Sequence, residues 1–187
     1  WFILLGFVLH IIAAYNTVGY YNTDEHFQII APLEKLLKIE NKLTWEFESQ
    51  IRPWIQPYFY FYIIKIANFF ELFDPFILAF ILRLVSSIIG FISIIYLYNH
   101  VKFRFKLNNN FSKILIFTFW FYAFLHARTS SENLSISMLI FGLIMFDKTI
   151  TLINKNNKFI FSLGSGIFLG LSIVFKFQNI LSVFFIY

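Results

Sequence analysis

The amino-acid sequence predicts an all-α polytopic integral membrane protein, and three observations carry the prediction. Hydrophobic residues make up 59% of the chain and charged residues 13%, with a mean hydropathy of +0.71. A soluble domain of this length has no interior large enough to hide that many apolar side chains. The apolar residues stand in long blocks, the full ones of roughly the 17–25 residues that cross a bilayer as a helix. The shorter period-two alternation of a closed β-barrel is missing.

Taken in order, residues 1–15 form the first crossing. That block has the look of a signal-peptide core, but no small-residue cleavage pattern follows it and many further apolar blocks do. The chain opens on Trp1 and stops at Tyr187 inside an apolar run, so it is read as a piece of a longer protein. Residues 16–75 are polar enough to form a first loop outside the bilayer. Within it, Phe27, Ile30, Leu33, Leu36 and Leu37 share one side of a helix, with Glu34, Lys35, Lys38 and Glu40 elsewhere. This is the pattern of a helix lying on a membrane surface. Residues 57–73 have the length either to cross or to lie in the interface, being interrupted by Lys65 and Asn68 and preceded by Pro53 and Pro57. Crossings are then expected over 76–98, 111–126, 134–150 and 159–175, with a last segment opening near Asn179. Residues 1–187 thus make one transmembrane domain of about five to six helices.

Charge chooses the orientation, because short loops rich in Lys and Arg stay in the cytoplasm. Residues 99–113 carry Lys102, Arg104, Lys106 and Lys113 with no acid, and residues 147–158 carry Lys148, Lys155 and Lys158 against Asp147. Residues 16–75 are acidic instead. If 57–73 lies in the interface, both basic stretches fall on the cytoplasmic side and the acidic loop on the other. That arrangement places Asp24, Glu25, Arg128, Glu132 and Lys176 together at the extracytoplasmic ends of helices. Ionisable groups held near a bilayer are costly and mark a site by default; the alternative is snorkelling to the headgroups.

Two constellations carry chemistry. In Asn22-Thr23-Asp24-Glu25-His26-Phe27-Gln28, adjacent carboxylates and an imidazole stand where the chain leaves the bilayer. A carboxylate there can act as a general base on a hydroxyl, with partial burial raising its pKa into a useful range. Thr23 or Asp24 can equally cap the helix that follows. In Ala127-Arg128-Thr129-Ser130-Ser131-Glu132-Asn133, a helical hairpin turn accounts for the small polar residues. It accounts less well for Arg128, whose planar fork suits phosphate oxygens. Lys176 is a second outward cation, and the two suggest an anion between them; Arg83 is a weaker third. The four histidines show no paired spacing, so a metal site is not expected. Cysteine is absent, no phosphate-cradling glycine loop is present, and the cytoplasmic loops account for the net charge of +5 without nucleic acid.

Four stretches resemble one family, the family 22 glycosyltransferases, which include the mannosyltransferases of glycosylphosphatidylinositol anchors and of the N-glycan precursor (Alg9-like). They are Thr23-Asp24-Glu25-His26-Phe27-Gln28; Leu43-Thr44-Trp45-Glu46-Phe47 with Ile51-Arg52-Pro53; Arg128-Thr129-Ser130-Ser131-Glu132; and residues 170–178, ending Phe-Lys-Phe-Gln. The resemblance implies a GT-C-like fold and transfer of a hexose, mannose by analogy, from a polyprenyl-phosphate donor to a glycan or glycolipid hydroxyl. Transfer would occur with inversion, at the extracytoplasmic side and without a cofactor. It implies Asp24 as base with Glu25 beside it, Arg128 and Lys176 on the donor phosphate, and His26, Gln28, Arg52, Glu132 and Gln178 on substrate. The match departs at Lys176, where an arginine is expected. The rival from another class is a transporter or flippase of an anionic or lipid-linked substrate. Charges at one face and the lack of an internal repeat speak against it. The many Phe, Ile, Asn and Lys residues point to an AT-rich genome and a bacterial inner membrane, or to the endoplasmic reticulum membrane for a eukaryotic chain.

Overall fold

The structure is a computed structural model that describes residues 1–20, 23–39, 42–106, 110–151 and 155–184, the side chains of 155 and 156 excepted. Asn22, which opens the acidic motif, Glu40 on the expected surface helix and the 107–109 part of the first basic stretch lie outside the described residues. Among the described residues there is no strand. The chain runs α1 (Phe2–Asn16), α2 (Thr23–Glu25), a π-helical turn (His26–Ile30), α3 (Ala31–Leu36), α4 (Trp45–Glu48), α5 (Ile55–Phe69), α6 (Pro75–Phe105), α7 (Asn110–Thr118), α8 (Trp120–His126), α9 (Ser131–Thr151), α10 (Lys155–Phe175) and α11 (Asn179–Phe184).

Three of these, α6, α9 and α10, contain stretches long and apolar enough to cross a membrane, and they fall on the expected crossings at 76–98, 134–150 and 159–175. Helix α6 is punctuated at both ends. Asp74 accepts from the amides of Phe76 and Ile77 at 2.8 and 3.0 Å, and Pro75 occupies the first turn, where its missing N–H costs nothing. At the other end Lys102 and Arg104 face the negative pole of the helix, and Lys106 leaves it with φ 54°. Helices α9 and α10 form a hairpin over small residues. A Cβ on Gly142 would stand 2.7 Å from Leu169, and one on Gly164 would stand 2.6 Å from the Met145 sulfur. Ser165 donates to the Gly142 carbonyl at 3.1 Å and Ser135 to that of Ser172 at 2.8 Å. In lipid, where association gains nothing from hiding apolar surface from water, close backbones and such bonds hold helices together.

Contacts define the two ends of the bundle. At one, His100 and Arg104 of α6 reach Asp147 of α9 at 3.4 and 3.7 Å. At the other, Arg83 of α6 donates to the Thr17 and Gly19 carbonyls just beyond α1, satisfying acceptors that a helix end leaves open. Lys176, after α10, meets Glu132 at the start of α9 at the same end. The exit of α1 and the entry of α6 therefore lie at one end, and the intervening chain, α5 included, leaves from and returns to it. Helix α5 has 15 residues, or about 22 Å, the same length as α1 and below the roughly 20 residues of a full crossing; neither is among the three long apolar helices. It buries Tyr60 and Ile64 with Ile29, Leu33, Leu82 and Leu134 in a small core.

Three expectations need correction. The crossing expected over 111–126 is two helices broken at Phe119, whose backbone is extended. Thr118 turns its hydroxyl back onto the Ile114 carbonyl at 2.7 Å, and the aromatic run 119–122 that follows loses side-chain freedom in a helix. The basic stretches are largely helical rather than loop, since α6 continues to Phe105 and α9 to Thr151. The segment after the acidic motif does not lie free on lipid: Ile29 and Leu33 are buried against α5, α6 and α9, while Phe27 turns outward, 50% exposed. One contact had no counterpart in the sequence: His10 and His126, 116 residues apart, share a hydrogen bond at 3.0 Å, a pairing that only the packing of α1, α6 and α8 creates.

Candidate functional site

Asp24 and Glu25 are neighbours in the first turn of the segment that leaves α1, and a helix turns about 100° per residue. They therefore face different surroundings. Asp24 is exposed, whereas Glu25 is only 3% exposed. The buried carboxylate accepts from the Thr129 amide at 3.0 Å and from the Thr129 hydroxyl at 2.8 Å, and Arg128 stands 3.9 Å from its second oxygen. Two hydrogen bonds and a cation make the burial of that charge affordable. Immediately afterwards comes the π-helical turn, a local widening frequent at functional sites.

The turn before α9 is built to hold this contact. Asn133 donates its side-chain amide to the carbonyls of His126 and Arg128 at 2.9 and 3.0 Å. Gln56 of α5 donates to the Thr129 carbonyl at 3.2 Å. Arg128 donates to the Gly19 carbonyl at 3.1 Å and lies over the Phe124 ring at 4.8 Å. The positive pole of the 21-residue α9 thus has Arg128 on one side and Lys176, salt-bridged to Glu132, on the other. Arg128 and Lys176 are not two bare cations facing one gap, as the sequence suggested: each faces a carboxylate of its own. Such a helix end with cations beside it is nevertheless a place where negative charge is stabilised, as Glu25 and Glu132 already demonstrate.

On the other face, Asp24, His26, Gln28, Thr44, Trp45 and Glu46 line a groove of about 500 Å³. Its two walls are tied together by the Thr44 hydroxyl, which donates to the Phe27 carbonyl at 3.3 Å. Arg52 orients Glu46 through a 2.9 Å ion pair. His26 is half-buried between the rings of Tyr20 and Phe27, at 4.8 and 5.1 Å, and its Nδ1 has no hydrogen-bond partner among the described residues. Burial first, then the Glu34 and Glu25 charges, holds the Tyr20 phenol above its ordinary pKa, so it remains a neutral donor. Among the described residues no group of three His, Cys, Asp or Glu could hold a metal.

Of the residues singled out in the sequence, the fold gathers Asp24, His26 and Gln28 at the groove, with Arg52 bracing its wall. It gathers Glu25 with Arg128, and Glu132 with Lys176, around the start of α9. Gln178 is exposed in the turn after α10 and is not part of the groove lining. Sequence reasoning passed over Gln56 and Lys42, and quoted Trp45 only inside a stretch of the family resemblance, with no role of its own. Thr129, noted only as one member of a polar run, turns out to hold Glu25. Trp45 had a visible signal, a tryptophan between Thr44 and Glu46 in a loop otherwise rich in charge.

The sequence pattern of the Alg9-like mannosyltransferase family matches residues 1–187, the whole chain. Mannosyltransferase APTG1 of Arabidopsis thaliana is 29% identical over 125 residues, which are 66% of this chain and 23% of that protein. The match therefore spans less than a quarter of that relative's length. No solved structure matches the chain.

Proposed function

The chain belongs to the Alg9-like mannosyltransferase family, and from that premise we propose that it is the part of a membrane mannosyltransferase that carries the proton acceptor and the donor's phosphate site. The acceptor hydroxyl attacks the anomeric carbon of a mannose held on a polyprenyl phosphate. The bond from that carbon to the phosphate oxygen breaks, the hydroxyl proton passes to Asp24, and polyprenyl phosphate leaves. A single displacement inverts the anomeric centre. Negative charge grows on the departing phosphate, and Arg128, Lys176 and the positive pole of α9 are the groups that would stabilise it. Lys176 has three N–H donors and spends one on Glu132, which leaves others for a phosphate oxygen. The reaction is placed at the extracytoplasmic end.

The observation that carries this reading is the division of labour between adjacent carboxylates. Asp24 is exposed on the groove, where an acceptor can reach it, while Glu25 is locked behind it onto Thr129 and Arg128 at the start of α9. Glu25 is thus a positioning residue that links the base to the phosphate end. The test is Asp24→Asn in the full-length protein, reconstituted with polyprenyl-phosphomannose. Asn caps a helix about as well as Asp, so folding should be retained, while loss of the base should slow transfer on the order of 10²–10⁴-fold. Undiminished transfer would end the assignment of Asp24 as the base, whereas a wild-type protein that transfers no mannose would favour a transporter.

A further inference from the structure

We infer that the groove beside Asp24 is the seat of an uncharged glycan acceptor and that Trp45 is the platform on which one of its sugar rings stacks. The inference rests on the transferase reading above and deepens it, because neither the family nor the relative's name says where an acceptor binds in this chain.

Three features of the groove select the ligand. Its volume of about 500 Å³ falls within the roughly 300–1,000 Å³ of clefts that hold small ligands. Its charged lining is Asp24 and Glu46 against Lys42, with Arg52 paired to Glu46 beside it, so the groove carries no surplus positive charge to draw a phosphate. The donor's anion is assigned instead to the positive pole of α9 and the N–H donors of Arg128 and Lys176, behind Glu25. Carboxylates accept hydrogen bonds only, and Asp24, Glu46, the Gln28 amide and the Thr44 hydroxyl together match a ligand rich in hydroxyl groups. Glu46 is held for that task by Arg52 at 2.9 Å.

Trp45 supplies what polar groups lack, a broad flat surface for the apolar face of a pyranose. It is 66% exposed although it is the first residue of α4 and borders the groove. Its place relative to the base is set by the bond from neighbouring Thr44 to the Phe27 carbonyl, three residues after Asp24. An indole, with broad apolar faces and a single N–H donor at its edge, is well suited to a partner that is both hydroxylated and ring-shaped. The competing account of an exposed tryptophan in such a protein is an anchor at the bilayer interface.

The experiment uses the full-length protein in nanodiscs, with mannotriose as the probe and saturation-transfer NMR as the readout of binding. Trp45→Ala should weaken mannotriose binding about tenfold, and Trp45→Phe, which keeps a stacking face, should restore most of it. In transfer assays the same Trp45→Ala should raise the acceptor KM by a similar factor and leave the donor KM unchanged. Equal binding by Trp45→Ala and wild type, or a wild type that does not bind mannotriose, would overturn the inference. Saturable, Trp45-dependent binding by a protein that transfers no sugar would sustain the glycan site and overturn the transferase reading. Transfer that is indifferent to Trp45 would do the reverse.

Discussion

Replacing Thr129 by Val tests the contact on which the arrangement of Asp24 and Glu25 depends. Valine has nearly the shape of threonine, so the substitution removes the hydroxyl that donates to Glu25 at 2.8 Å and leaves the amide bond at 3.0 Å in place. Glu25 is 3% exposed and the Thr129 residue equally buried, so water does not enter to replace the lost donor. A hydrogen bond to a charged group is worth about 1.5–3 kcal/mol, against about 0.5–1.5 kcal/mol for a neutral one. Thr129→Val should therefore cost roughly 1.5–3 kcal/mol. In a Glu25→Gln background, where the acceptor has lost its charge, the same change should cost about 1 kcal/mol less or lower still. The assay is a double-mutant cycle on reversible unfolding in detergent, with a coupling energy of about 1–2 kcal/mol expected between the two positions. A Thr129→Val protein within about 0.5 kcal/mol of wild type, or strict additivity in the double variant, would refute the contact and with it the role of Glu25 as a link.

Two further outcomes follow from the same geometry. Arg128→Ala and Lys176→Ala should each raise the donor KM about tenfold or more, as expected for one lost charge-assisted bond, with the acceptor KM little changed. The exchanged pair Lys176→Glu with Glu132→Lys should restore stability but not donor use, and full recovery of both would assign Lys176 to structure alone. These 187 residues hold no cysteine, so single cysteines placed in them report sidedness once any cysteine elsewhere in the full-length protein is replaced. Asn108→Cys should label from the cytoplasm and Glu40→Cys from the opposite side, and labelling of both from one side would show that the segment between them is threaded otherwise.

The class of molecule was legible in the sequence because hydropathy is a sum along the chain. Blocks such as 76–98, 134–150 and 159–175 announce membrane helices whatever they pack against, and α6, α9 and α10 fall on them. The four motifs that resembled family 22 lie on a chain that matches the Alg9-like family from end to end. Composition also spoke for a polar cluster at one end of the bundle. It did not foresee the break at Phe119, since that depends on how Thr118 spends its hydroxyl rather than on how apolar the block is.

Asp24 and Glu25 are chemically alike and adjacent, and nothing in their order says that one opens on a groove while the other is buried. That was decided by Thr129, 104 residues away, because a buried carboxylate persists only where donors from another element meet it. His10 and His126 found each other in the same way, through the close approach of α8 to Gly90 of α6. Arg128 and Lys176 acquired carboxylate partners that their positions along the chain do not disclose. What the sequence by itself determined is the solvent in which the protein lives and the family to which it belongs. Only tertiary structure decided which charges face one another, because the energy of a charge in a bilayer protein depends on its nearest partners in space and hardly at all on its neighbours in sequence.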